Sequence, residues 1–367
     1  MPTAEEMLST ASVVALGTCL TQVAPELDFA EVKAVPGGLA DATFSERGRL
    51  VRDALLADLP PGFGPVRQIF TAALEDSAFT GWMIWPVTEA VAVRAVESDE
   101  FEAGLELLAD LTPRLTAEFA LRTFLAADLD RTLAIVQRWT DHPDEHVRRL
   151  ASEGTRARLP WAKRVAGLIE RPDVTVPILA ALRRDDSEYV RRSVANQLND
   201  LSRLDPALAV SVAGGWLADP APTTERLVRH ALRTLIKAAD PGALALLGFR
   251  APAGLVVDGP VLGASGVVVG DMLPFEFSAH NRGTADLRLA IDYVVHHVKA
   301  NGTLAPKVFK LTTRTLAPGE SATIGKRHSF KPISTRTYYP GEHALELQIN
   351  GRTFGRSTFN LTLEGPR

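Results

Sequence analysis

Three short segments between residues 145 and 229 repeat one another, and this repetition limits the possible fold more than any other feature. Glu145-His-Val-Arg-Arg149, Glu188-Tyr-Val-Arg-Arg192 and Glu225-Arg-Leu-Val-Arg229 align without gaps, at spacings of 43 and 37 residues. Such periods, with two helices each, indicate HEAT-like repeats, which bury their apolar faces by stacking. The same helix of each pair would then lie on one concave surface. A helical bundle with chance similarity is the alternative.

The chain changes character near residue 250. Before it, apolar residues recur at three- and four-residue spacing, with Pro and Gly mostly between these helical segments. After it, short runs of β-branched and aromatic residues predict about seven strands, and Asn350-Gly351 predicts a hairpin turn. We therefore expect a HEAT-like α-solenoid over 1–250 and an immunoglobulin-like β-sandwich over 255–367. Residues 250–254 would link the two domains.

Composition excludes several classes of protein. The single cysteine, Cys19, rules out an internal disulfide and a cysteine-rich metal site. No apolar run reaches the roughly 18 residues that span a bilayer. Glu5 and Glu6 precede the apolar stretch 11–20, where a signal peptide carries Lys or Arg, so we expect a buried helix there. The expectation is a cytoplasmic, monomeric protein that does not bind membranes.

Charge is unevenly distributed along the chain. The net charge is −4 overall, but it is −12 over residues 1–110, +4 over 111–250 and +4 over 251–367. A basic body can steer a polyanion despite an acidic overall balance. The distribution fits a nucleic-acid protein, and an incidental asymmetry is the alternative.

The segment that follows the first repeat holds the densest set of reactive residues. Asp141 is a candidate helix cap, with Pro143 in the first turn. Arg149, Glu153 and Arg156 are spaced i, i+4 and i+7 and share a helix face. Gly154 and Pro160 then interrupt the helix, and Trp161 follows at the break. The alternative is a solvated stripe of salt bridges beside a core tryptophan.

This segment closely resembles the signature of a known family. Arg148-Arg-Leu-Ala-Ser-Glu-Gly-Thr-Arg-Ala-Arg-Leu-Pro-Trp-Ala162 is similar to that of the AlkC-type DNA-alkylation-repair glycosylases, relatives of AlkD. The repeats fit that family, as does an immunoglobulin-like domain, which one branch carries. The resemblance implies excision of small cationic bases, chiefly 3-methyladenine, from duplex bacterial DNA, without full base flipping and with no metal or cofactor.

The resemblance also implies roles for individual residues. It makes Glu153 the active-site glutamate, with Glu118 and Asp200 as further carboxylates of the site. It places Trp161, Arg149 and Arg156 beside the lesion. The repeated arginines and the basic middle portion of the second domain extend the expected DNA contacts to Arg148, Arg192, Arg229, Lys307, Lys310, Lys326 and Arg327. We expect the second domain to complete a clamp around the duplex; a passive appendage or protein-docking module is the alternative.

The chemistry of the residues agrees with these roles. A base alkylated at N3 is already a cation, so it leaves as a neutral molecule without a general acid. The sugar left behind resembles an oxocarbenium ion, which a nearby carboxylate stabilises while it orients a water. A non-catalytic HEAT-like scaffold that binds DNA or a protein is the rival interpretation.

Two other segments offer less. His296 and His297 are adjacent on a predicted strand and point to opposite faces, which argues against a shared metal. The segment Trp82-Met-Ile-Trp85-Pro86 is expected to pack in the core rather than form a stacking platform.

Overall fold

The computed structural model describes residues 3–250, 252–334 and 336–363. It divides into two compact units, the first ending at Ala231 and the second beginning at Leu232. The units are helical and mainly β in turn, as the repeats and the later strand pattern predict. The bounds 1–250 and 255–367, expected for independent domains, stay a prediction, and Ala251 of the expected linker lies outside the described residues.

Seventeen α-helices are formed by the described residues. They are α1 Ala4–Met7, α2 Thr10–Val23, α3 Ala30–Ala34, α4 Phe44–Asp58, α5 Phe63–Ala73, α6 Ile84–Glu97, α7 Phe101–Leu111, α8 Leu121–Ala127, α9 Leu129–Arg138, α10 Glu145–Glu153, α11 Ala166–Glu170, α12 Val176–Leu182, α13 Glu188–Leu201, α14 Pro206–Ala218, α15 Thr224–Ala231, α16 Arg233–Lys237 and α17 Pro241–Leu246. Short 3-10 helices cover Val35–Gly38, Gly81–Met83, Trp139–Asp141 and Pro172–Thr175. None of the described helices is both long and apolar enough to cross a bilayer.

The three repeated segments form helices that pack against one another. Helix α10 packs on α13, and α13 packs on α15. Their equivalent apolar residues, Val147, Val190 and Leu227, are all buried. Helix α12 contacts α13 and α14 contacts α15, so two of the three repeated helices pack against the helix that precedes them. The packing confirms the HEAT-like prediction: single helices of this length are marginal alone and are stabilised by neighbours.

Helix α10 begins later than its sequence predicts. Asp141 ends a 3-10 helix, and α10 begins at Glu145. Its cap is Asp144, whose Oδ1 accepts the backbone N–H of His146 at 2.7 Å. The prediction of Asp141 as the cap is therefore wrong. Asp144 is the cap because its extended backbone directs the carboxylate at the unpaired amides of the first turn.

The second unit is a β-sandwich preceded by α16 and α17. Its strands are β1 Leu255–Leu262, β2 Gly266–Val268, β3 Met272–Asn281, β4 Leu287–Val298, β5 Leu304–Leu316, β6 Ser321–Ser329, β7 Gly341–Ile349 and β8 Arg352–Thr362. One sheet has the order β1-β3-β6 and the other β2-β8-β7-β4-β5. All pairs are antiparallel except β2 with β8.

The described residues form eight strands where about seven are predicted. The Asn350-Gly351 hairpin is confirmed: it joins β7 to β8, and both residues have positive φ, 45° and 81°. Gly351 also allows a close approach, since a Cβ there would lie 3.0 Å from Ala239 and from Leu244 of α17. The turn thus ties the helices of this unit to its sandwich.

Candidate active site

Five side chains on neighbouring segments of the helical unit form one row of alternating charge. Arg149 Nη1 donates to Glu118 Oε2 at 2.5 Å, and its Nη2 lies 3.6 Å from Glu153 Oε1. Arg156 Nη1 donates to the same Glu153 oxygen at 2.5 Å, and its Nε donates to Asp200 Oδ2 at 2.8 Å. The structure therefore brings all three carboxylates predicted for the site into contact with two of the predicted arginines.

The row is buried and carries surplus negative charge. The side chains of Glu153, Asp200 and Arg156 are each less than a tenth exposed, whereas Glu118 and Arg149 are 12% and 15% exposed. Three carboxylates against two guanidinium groups leave a formal charge of −1. Buried ions are costly unless paired, and beyond the row the charge of Arg203 also acts on Asp200. Glu118 and Arg149 form the less buried end of the row.

Helix α13 supplies a second set of contacts. Ser193 Oγ donates to Glu153 Oε2 at 2.7 Å, and Tyr189 lies 5.2 Å beneath the Arg149 guanidinium. Sequence reasoning missed both. Tyr189, Ser193 and Asp200 are spaced i, i+4 and i+11, so they share one polar face of α13. That spacing is the signal that would have found them.

Burial perturbs the ionisation of the row. Burial raises the pKa of the Asp200 carboxyl, although the hydrogen bond and charge of Arg156 oppose the rise. For Arg156, burial lowers the pKa, but Asp200 and Glu153 outweigh it and the net shift is upward. Burial also raises the pKa of Tyr189. Arg156 therefore stays charged, and its hydrogen bond and charge favour the ionised form of Asp200 against the effect of burial.

The loop after Glu153 is fastened by Arg122 of α8. Its Nη1 donates to the carbonyl oxygens of Gly154 and Arg156, at 3.2 and 2.6 Å, and its Nε donates to that of Lys163 at 3.0 Å. Burial, followed by the nearby charge of Arg156, lowers the pKa of Arg122 to about 10. Gly154 permits this approach, because a Cβ there would lie 2.5 Å from Leu121. The role of Gly154 is therefore to allow close packing between α8 and α10.

Trp161 stands out in this loop. Its side chain is 62% exposed, and its φ of 63° is in the left-handed region that a bulky residue rarely adopts. The ring meets Phe44 edge-on, with centroids 5.8 Å apart. Strained backbone that the surroundings maintain is typical of functional positions. The solvated-stripe alternative is wrong on both counts: the stripe is buried and the tryptophan is exposed.

The other arginines of the repeats have separate surroundings. Arg148 points away from the row and pairs with Asp185, 2.6 Å from Nε to Oδ2. Arg192 lies 3.5 Å from Glu188 and is well exposed, and Arg229 pairs with Glu225 at 2.9 Å. The structure thus brings none of these three into the row. Their contacts with DNA stay predictions.

The four basic residues predicted in the second unit lie on two sheet-edge strands. Lys307 and Lys310 are on β5 and Lys326 and Arg327 on β6, and all four are exposed. Metal sites find no support elsewhere: within residues 3–250, 252–334 and 336–363, no group of three His, Cys, Asp or Glu is arranged to hold an ion.

A helical-repeat unit with a buried carboxylate–arginine row, followed by an immunoglobulin-like sandwich, defines the class of this protein. The model of the YhaZ C-terminal Ig-like domain matches residues 256–363. The chain is 39% identical over 251 residues to the uncharacterized protein YhaZ of Bacillus subtilis, spanning 68% of this chain and 70% of YhaZ.

Agreement with one solved structure is more extensive. The alkylpurine DNA glycosylase AlkC of Pseudomonas fluorescens, bound to DNA containing an abasic site analog, is 33% identical and superposes with a TM-score of 0.88. The match covers 98% of this chain and all of that one. The chain belongs to the AlkC family, in the branch with a C-terminal Ig-like domain.

Proposed function

We propose that this protein is a monofunctional DNA glycosylase that hydrolyses the N-glycosidic bond of small cationic alkylated bases. The main expected substrate is 3-methyladenine in duplex DNA, with 3-methylcytosine and 1-methyladenine as further candidates. The observation that carries the proposal is the buried row with a surplus negative charge. The relationship to an alkylpurine glycosylase bound to DNA supports it.

The row suits bond cleavage in which charge passes from the base to the sugar. The alkylated base leaves as a neutral molecule, and the deoxyribose develops oxocarbenium character. Glu153, held by Arg156 and Ser193, is fixed before the reaction and does not need to reorganise. Glu118 lies at the exposed end, where it can orient the attacking water. No step requires full flipping of the base.

Trp161 supports a second part of the proposal. Its exposed ring, on a loop fastened by Arg122, would contact bases where the duplex is opened. The second unit would add phosphate contacts through Lys307, Lys310, Lys326 and Arg327, which would offset the cost of bending DNA. In the full chain, Lys326→Glu with Arg327→Glu should weaken binding to damaged and undamaged duplex alike. Unchanged affinity would count against the clamp.

The test of the activity uses methylated duplex DNA. The protein is incubated with it, with and without EDTA, and released bases are identified by chromatography and mass spectrometry. We expect release of 3-methyladenine that EDTA does not reduce. Absence of any released base, together with normal DNA binding, would favour the scaffold alternative.

A further inference from the structure

A pocket lies beside Trp161 in the helical unit, and Arg122 also lines it. Its volume is about 380 Å³, within the range of roughly 300–1,000 Å³ typical of ligand sites. The rings of Trp85, Phe119 and Trp161 line it, and Ala126 of α8 lies at its wall. Aromatic faces in a cavity of this size suit a planar ring.

A buried donor of Arg122, which lines this pocket, has no hydrogen-bond partner. Arg122 is 4% exposed, and among the described residues its Nη2 makes no hydrogen bond. The N–H of Trp85, by contrast, is directed at the Glu89 carboxylate. Buried donors are ordinarily satisfied, because an unpaired one loses its hydration without compensation. A ligand with an acceptor atom would satisfy Arg122.

The charges around the pocket further restrict the chemical class of its ligand. Arg49, Arg52, Lys163 and Arg164 line it, three of them exposed, against a single carboxylate, Glu89. Burial raises the pKa of Glu89, while Arg52, 3.8 Å away, and the Trp85 N–H oppose the rise. This excess of cations repels a cationic alkylated base and attracts a phosphate. A neutral base with its phosphate fits the rings and the cations together.

We propose that this pocket binds one unpaired, undamaged nucleotide of the DNA strand that passes Trp161. The inference rests on the proposed function, because it takes Trp161 to contact opened DNA. The base lies among the three rings and accepts a hydrogen bond from Arg122, and its phosphate pairs with the surrounding cations. The protein thus holds a displaced neighbour of the lesion while the lesion itself stays outside this pocket.

The experiment compares two bulged duplexes by fluorescence anisotropy. Both carry one extra nucleotide at the same position, an adenosine in one and an abasic analogue in the other, so both are kinked but only one has a base. We expect the wild-type full-length protein to bind the adenosine bulge about tenfold more tightly, the scale of one base–aromatic stack. Free dAMP should compete only weakly.

Two variants on α8 test the location. Ala126→Trp fills the pocket wall and should abolish the preference for the adenosine bulge. Ala127→Trp, exposed on the same helix but outside the pocket, should keep it. Equal binding of the two bulges by the wild type, or an unchanged preference in Ala126→Trp, would overturn the inference. Binding of free dAMP as tight as that of the adenosine bulge would also overturn the inference, because the ligand of the pocket would then be a free nucleotide.

Excision of methylated bases, measured on the same preparations, separates this inference from the proposed function. Normal excision without a preference for the adenosine bulge overturns only the pocket. Loss of all DNA binding and excision in the wild type overturns both.

Discussion

The helical unit and the sandwich both bury titratable side chains, but they hold them in opposite states. In the helical unit, Glu153, Arg156 and Asp200 are buried as charged partners in direct contact. In the sandwich, His297, His328 and His343 are buried among aromatic rings, and each has one ring nitrogen without a partner among the described residues.

The pKa shifts follow this difference. Burial, with the charge of Arg336 next, lowers the pKa of His297 to about 3 and that of His328 to about 4, and burial also lowers that of His343. These imidazoles are neutral near pH 7 and contribute to packing. A buried group stays charged only when groups of opposite charge or hydrogen-bond donors are arranged around it. The charged row is therefore better explained by a chemical function than by a contribution to stability.

The largest expected effect comes from removing one charge of the row. Glu153→Gln keeps the shape but removes the carboxylate that we propose faces the oxocarbenium-like sugar. Excision of 3-methyladenine should fall by roughly 10²-fold or more, the scale of one lost transition-state contact. DNA affinity should hold or rise, because a negative charge leaves the surface that meets a polyanion.

Glu145→Gln is the matched control, since Glu145 is exposed at the other end of α10. Near-normal excision by Glu153→Gln would sink the assignment of the row as the active site.

Acid should destabilise the sandwich more than the helical unit. A histidine whose pKa is lowered in the folded state stabilises the fold above its unfolded pKa of about 6.5, and this contribution is lost as pH falls toward the folded value. From pH 7 to 5 the sandwich should lose roughly 1–2 kcal/mol for each of His297 and His328. Hydrogen exchange should show the loss in β3 to β8, whereas tryptophan fluorescence follows the helical unit, which holds all five tryptophans.

His328→Phe should flatten this pH dependence, because Phe309 and Phe330 already surround that ring. His280→Phe is the control, since His280 is hydrogen-bonded to Ser321 at a less buried position. Equal acid sensitivity in all three proteins would contradict the role of the buried imidazoles.

A buried acid in the sandwich gives a smaller effect of opposite sign. Burial raises the pKa of Asp292 to about 6, although Lys310 and Lys237 oppose the rise. Folding therefore favours its protonated form, and stability is lost as pH rises from about 4 through 6. Asp292→Asn should stabilise the protein on the order of 1 kcal/mol at pH 8 and hardly at all at pH 4. Urea unfolding of the variant and of Asp286→Asn, an exposed control, would show whether this difference exists.

The smallest effect concerns an exposed arginine outside the row. Arg192 occupies the position of Arg149 in the next repeat but is open to solvent. Arg192→Ala should weaken binding to damaged and undamaged duplex equally and reduce the salt slope by about one unit. Excision at saturating protein should not change. A fall in excision with unchanged affinity would instead indicate that Arg192 takes part in the reaction. Arg192 and Arg149 would then have similar roles.

The repeats and the later strand pattern predict the fold class, because it depends on residue spacing, whereas the choice of the three carboxylates comes from the family resemblance. Spacing along one helix does not predict contacts between helices. Ser193 reaches Glu153 only because α10 and α13 pack side by side, and its equivalent in the first repeat is the apolar Leu150. Arg156 lies beyond the end of α10, so its pairing with Asp200 depends on the loop path that Arg122 sets.

Arg122 fastens that loop through main-chain carbonyl oxygens alone. Every amino acid has a main-chain carbonyl group, so these hydrogen bonds do not depend on which side chains the loop carries. An exposed position between Arg156 and Lys163, such as Arg158, can therefore be substituted without losing the loop's course, whereas Ala157 and Leu159 are buried. Under the proposed function, such substitutions would alter what the loop presents to DNA while the carboxylates stay in position.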